Sequence, residues 1–150
     1  MATLTKSILV NAPAEKIFAY IADPVNLLEV WPSMVDARDM QTLPNGGTKF
    51  KWTYKMAGIR LEGISEDIEF DPPRKTVRKT TGGVEGTVTW LMEPTSTGTR
   101  VTVVDEYIVP MPVIGKLAEA VIVKLNEHEA EVLLANLKTR MEMVEAAKNR

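Results

Sequence analysis

A chain of 150 residues, 45% of them hydrophobic and 25% charged, is the size of one ordinary domain and can fill a core. Its net charge of -2 and pI near 5.5 give no long-range pull toward nucleic acid or an anionic membrane. With no cysteine and one histidine, disulfides, thiolate metal sites and cysteine nucleophiles are excluded, and neither a protein-built metal site nor a cofactor is expected.

Residues 4–10 read as a strand. Pro13 suits the first turn of a helix, where its missing N–H costs nothing, and Glu15 suits the helix dipole. Ile17, Phe18, Ile21 and Ala22 recur at helical spacing until Asp23-Pro24 ends the helix. A second short helix is predicted over residues 25–30, before Trp31-Pro32. Residues 33–42 begin a series of strands, and Pro44-Asn45-Gly46-Gly47 is a turn.

Residues 48–56 alternate strictly. Phe50, Trp52, Tyr54 and Met56 fall on one face; Lys49, Lys51, Thr53 and Lys55 fall on the other. Ala57-Gly58 makes a two-residue hairpin loop that pairs Met56 with Ile59, Tyr54 with Leu61 and Trp52 with Gly63. Ile64, Ile68 and Phe70 have the opposite parity, so a bulge near Gly63 is predicted to turn them inward. After a turn at Asp71-Pro72-Pro73-Arg74, residues 75–81 form a strand that ends at Gly82-Gly83. Val84, Gly86, Val88, Trp90 and Met92 then share a face. In the last strand, residues 100–109, Val101, Val103, Asp105, Tyr107 and Val109 do the same.

Beyond Pro110 and Pro112 a helix is predicted to about Lys148. Its apolar stripe reads Ile114, Leu117, Ala118, Val121, Leu125, Val132, Leu133, Leu137, Met141 and Val144. Unbroken, it spans roughly 50 Å at the rise of an α-helix, so a kink near Gly115 or a projecting end is expected. Residues 1–11 lack the long apolar run of a signal peptide. The apolar stretch 107–125 is interrupted by Pro110, Pro112, Lys116, Glu119 and Lys124. A cytoplasmic location without a membrane span is the expectation.

The order is a strand, two helices, six hairpin-linked strands and a long helix. Such a chain makes an antiparallel sheet with the helix over one face. This order, together with Asn11-Ala12-Pro13-Ala14-Glu15-Lys16-Ile17-Phe18, Ile21-Ala22-Asp23-Pro24, Trp52-Thr53-Tyr54-Lys55-Met56-Ala57-Gly58, Phe70-Asp71-Pro72-Pro73-Arg74, Gly98-Thr99-Arg100-Val101 and Leu137-Lys138, resembles the superfamily of START and birch-allergen-like proteins. The polyketide cyclase/dehydrase-type branch is the most similar. The resemblance covers nearly the whole chain. It implies an α+β helix-grip fold in one domain: a curved antiparallel sheet of about seven strands, wrapped around the long C-terminal helix, with two short helices after strand 1. It also implies an apolar pocket between sheet and helix. No common catalytic motif comes with it, because the superfamily includes lipid carriers, hormone receptors and aromatic cyclases.

The residues predicted to line this pocket are Phe50, Trp52, Tyr54, Met56 and Leu61, then Val88, Trp90, Val103 and Tyr107, and from the helix Leu117, Val121, Leu125 and His128. His128 lies beside the helix stripe as a candidate acid/base or ligand donor, or as a wet boundary residue among Glu127, Glu129 and Glu131. Asp105 shares the parity of Val103 and Tyr107, and an inward carboxylate would need a partner or a raised pKa. Glu106 is the alternative inward group, and Glu66 has the same standing after the proposed bulge. For each of these the solvent-facing reading stays open. The lysines beside Trp52 face away from the aromatics, so no nucleic-acid stacking platform forms. The glycine turns precede strands and are not phosphate loops.

The expected function is a carrier or sensor for a small hydrophobic or aromatic ligand. The alternatives are a polyketide cyclase or dehydratase using the same cavity, and an interaction module. A monomer or weak homodimer is expected.

Overall fold

The computed structural model describes residues 2–56, 58–108 and 115–148, with side chains on the last helix described from residue 120 onward. In chain order the elements are β1 (Ala2–Val10), α1 (Ala14–Ala22), α2 (Pro24–Val30), β2 (Met34–Thr42), β3 (Thr48–Met56), β4 (Ile59–Asp71), β5 (Lys75–Gly82), β6 (Glu85–Pro94), β7 (Thr99–Ile108) and α3 (Gly115–Lys148). The strands form one antiparallel sheet in the order β1-β7-β6-β5-β4-β3-β2. Consecutive hairpins build it from β2 to β7, and β1 closes the series against β7. The helix-grip architecture expected from the sequence is the one observed.

Local chemistry explains the two short helices. Pro13 caps α1 in an extended conformation, and Ile17, Phe18 and Ile21 are buried along one helical face. Asp23 ends α1 and begins α2, its side chain accepting from the Val25 N–H at 3.1 Å while Pro24 occupies the first helical position.

The β3–β4 hairpin has the predicted register, with Met56 opposite Ile59, Tyr54 opposite Leu61 and Trp52 opposite Gly63. The bulge is not at Gly63, however. The register shifts between Asp67 and Glu69. Gly63 serves a close approach instead: a Cβ there would lie 2.2 Å from the Thr81 carbonyl oxygen and 2.4 Å from the Trp52 indole. Parity therefore continues through Leu61, Gly63, Ser65 and Asp67, which face inward, and Ile64 and Ile68 are exposed. After the bulge Phe70 does turn in, meeting Phe18 edge-on with ring centroids 5.2 Å apart.

The buried face of α3 also departs from the predicted stripe. It runs Ile122, Asn126, Glu129, Ala130, Leu133, Leu134, Leu137 and Met141. Val121 is 49% exposed and Leu125 39%, and Val144 also faces solvent. The phase moves because Asn126 and Glu129 find partners on other elements, so two polar residues sit where hydropathy alone would not put them. Leu117, Ile114 and Ala118 lie outside the described side chains, as does the chain around Pro110 and Pro112. Among the described residues no helix is long and apolar enough to cross a membrane.

Buried apolar residues fall into three clusters. The largest joins α1, α2, β6, β7 and the second half of α3, with Ile17, Leu27, Trp90, Val101, Leu133 and Leu137. A second holds Leu4, Tyr107 and Ala130, and a third Phe50, Trp52 and Leu61. One main core with smaller satellite clusters is the usual arrangement of a domain. Here the clusters stand around a cavity.

Candidate functional site

The cavity lies between the concave sheet face, α2 and the first half of α3. It leaves about 80 Å3 open to the centres of water-sized molecules. At about 10–15 Å3 of such space per water, that is room for roughly six waters or a small apolar molecule. Strand β3 contributes Phe50, Trp52, Tyr54 and Met56, and β4 contributes Ile59 and Leu61. Val88 and Trp90 come from β6, Asp105 and Tyr107 from β7, Ile122 and Asn126 from α3, and Leu27 and Trp31 from α2 and its end. The alternation of each strand accounts for this wall, since every second side chain stands on the concave face.

Several expected residues are elsewhere. Val103 is buried in the main core and does not line the cavity. Val121 and Leu125 face solvent, displaced by the change of phase in α3. The His128 side chain is 77% exposed and its Nδ1 lies 4.0 Å from Glu131, so it belongs to the wet face of the helix. Glu66 sits on the convex side of β4, opposite Lys49 and Lys79 in the register, because the bulge comes after it. Glu106 is exposed, and Asp105 is the inward member of that pair. Leu117 lies outside the described side chains.

A chain of hydrogen bonds crosses one side of the cavity. The Trp31 indole N–H donates to the Tyr54 hydroxyl at 3.3 Å, and the two rings meet edge to face. Tyr54 donates to the Asn126 carbonyl oxygen at 3.1 Å, and the Asn126 amide donates to Asp105 at 3.3 Å. Burial raises the pKa of Tyr54, with the Glu129 charge adding to it, so the phenol stays protonated. Burial also pushes Asp105 up to about 6, against the lowering effect of the Asn126 hydrogen bond. Beside this chain Glu129 accepts from the Ser33 backbone N–H at 2.7 Å and from its hydroxyl at 2.5 Å, fastening α3 to the loop that leaves α2.

The far wall holds a buried ion pair. Arg78 and Asp67 side chains are 4% and 0% exposed, with Arg78 Nε 2.9 Å from Asp67 Oδ1. Asp67 also accepts from the Thr76 hydroxyl and the Thr48 N–H, and the guanidinium lies 5.1 Å from the Phe50 ring centroid. Hydrogen bonds of this kind around the carboxylate are what make a buried pair tolerable. Arg78, Ser65 and Thr80 face the cavity.

Sequence reasoning passed over Asn126, Trp31, Arg78, Asp67 and the Ser33–Glu129 contact. Asn126 had a readable signal, since it lies four residues from both Ile122 and Ala130 on one helical face. Asp67 and Arg78 had none without the position of the bulge, because only the true register sets them opposite each other.

As chemistry, the site offers an apolar chamber, one acid that holds or releases a proton near neutral pH, and an amide and two phenols to orient a ligand. Solved structures with this architecture include the Zhui aromatase/cyclase from a Streptomyces species, at TM-score 0.80 and 15% identity over 94% of this chain and 93% of that one. A START superfamily protein from Mycobacterium smegmatis aligns at TM-score 0.78 and 17% identity over 95% and 98%. A protein from Thermus thermophilus aligns at TM-score 0.75 and 22% identity over 95% and 99%. At these identities the likeness is one of fold. Among curated proteins none matches the chain. The sequence profile of the family described as polyketide cyclase / dehydrase and lipid transport matches residues 1–142, and the chain belongs to that family.

Proposed function

We propose that this protein is a carrier or sensor that holds one small hydrophobic or aromatic molecule, lipid-like or polyketide-like, in the cavity between sheet and α3. The supporting observation is the cavity itself, walled by Phe50, Trp52, Met56, Leu61, Val88 and Trp90, with polar groups gathered on two sides. A monomer or weak homodimer working in the cytoplasm, without nucleic acid, fits this reading. Native mass spectrometry after gentle purification tests it, followed by exposure to a lipid and aromatic library. A 1:1 complex with an apolar molecule is expected. A protein that never retains or accepts one contradicts the reading.

One observation favours a second reading, a cyclase or dehydratase. Asp105, at about 6, lines the cavity, where it could give a proton to a carbonyl oxygen or take one from an adjacent carbon. Folding a flexible chain within the cavity would supply the rest by proximity. Unchanged turnover of a confirmed substrate by Asp105→Asn would eliminate this role.

A further inference from the structure

We propose that Trp52 and Tyr107 select the occupant of the cavity: it is an uncharged aromatic molecule bearing a carbonyl-type oxygen, which takes the Trp52 indole N–H and the Tyr107 phenol O–H. The inference rests on the cavity being a ligand site and adds the chemistry of the ligand and the two residues that read it.

Both side chains are 4% exposed and both line the cavity. Trp52 Nε1 and the Tyr107 hydroxyl have no hydrogen-bond partner among the described residues. Native proteins pair nearly all such buried groups, so two orphan donors lining one cavity point to an acceptor held in it. Asn126 stands beside Tyr107 and lowers its pKa as a hydrogen-bond donor toward the phenol oxygen, an interaction that leaves the phenol O–H itself without an acceptor. The contrast with Trp31 is direct: that indole N–H is satisfied within the protein by Tyr54. An indole N–H can only donate, so its missing partner is an acceptor.

Both donors border the same cavity, and one side chain bridges their surroundings. Val84 packs against the Trp52 cluster and against the Tyr107 cluster. Gly63 makes room for the indole: a Cβ there would be 2.9 Å from Trp52 Cε2, the atom bonded to Nε1. Charge narrows the ligand further. Asp105 on the wall opposes an anion, and Arg78, which faces the cavity, is engaged by Asp67. An uncharged oxygen acceptor on an apolar ring fits these surroundings.

Acetophenone and α-methylstyrene test this, since they share a shape and differ by C=O against C=CH2. Each is titrated into 15N-labelled protein, with the Trp52 indole resonance assigned through Trp52→Phe, and into Tyr107→Phe, which removes only the hydroxyl. Acetophenone is expected to move the Trp52 indole proton downfield, and α-methylstyrene is not. Tyr107→Phe should weaken acetophenone about tenfold and change α-methylstyrene by less than about twofold. Acetophenone binding with the indole proton unmoved, or with equal affinity in Tyr107→Phe, overturns the proposal while leaving the ligand cavity standing. Failure of both probes to bind the wild type overturns the ligand-site reading and this inference with it.

Discussion

Replacing Asp105 by Asn should stabilise the protein at neutral pH and do almost nothing at pH 4. The carboxyl lines an apolar cavity, and its pKa rises on folding from 3.8 to about 6. The folded state therefore holds the proton more tightly than the unfolded one. The stability this contributes is complete below the unfolded value and is lost as pH rises toward the folded value. At 1.36 kcal/mol per pKa unit, the loss between pH 4 and pH 7 is about 2–3 kcal/mol. Asparagine keeps an acceptor for the Asn126 amide and never ionises, so the variant escapes that loss. Urea unfolding of both proteins across pH 4 to 7 reads the effect as a difference, in which the other carboxylates cancel. The variant's advantage should grow by about 2–3 kcal/mol over this range. A flat difference, or a wild type that gains on the variant with rising pH, would refute the burial of this carboxyl in the cavity wall.

Other substitutions test the rest of the architecture. Asp67→Ala leaves the Arg78 guanidinium buried without its counter-charge, and denaturant unfolding should show a loss of about 3–5 kcal/mol. Leu137→Ala, at a fully buried position of α3, should cost about 2–5 kcal/mol, whereas Val121→Ala on the exposed face should cost less than about 0.5 kcal/mol. Equal losses would restore the stripe first read from hydropathy. His128→Ala should leave both stability and ligand affinity unchanged, as measured by unfolding and by titration with naphthalene, because the ring is in solvent.

The legible parts of this chain were those governed by strict local rules. The alternation from Phe50 to Met56 and the two-residue loop after it fixed the β3–β4 register, and the same period placed Val88, Trp90 and Tyr107 on the cavity side. Asp105 was readable for the same reason. The failures share one cause. Ile64, Ile68, Val121 and Leu125 were placed inward because they are apolar, and Asp67, Arg78, Asn126 and Glu129 were passed over because they are polar. In the folded chain those four polar groups are buried because each has a partner: Arg78 for Asp67, Tyr54 and Asp105 for Asn126, Ser33 for Glu129. Partnership across distant segments has no signature in hydropathy, and a bulge five residues later than expected is enough to reverse a strand's parity.

The carrier or sensor reading requires the cavity to admit an apolar molecule. Titrating naphthalene into 15N-labelled wild type and into Val88→Phe, whose larger ring would occupy the cavity, tests it directly. Saturable 1:1 shifts confined to the amides of β3, β6, β7 and α3 around the cavity, lost in a folded Val88→Phe, are the predicted result. Shifts that never saturate, that centre on the exposed Val121–Leu125 face, or that persist in Val88→Phe would contradict it.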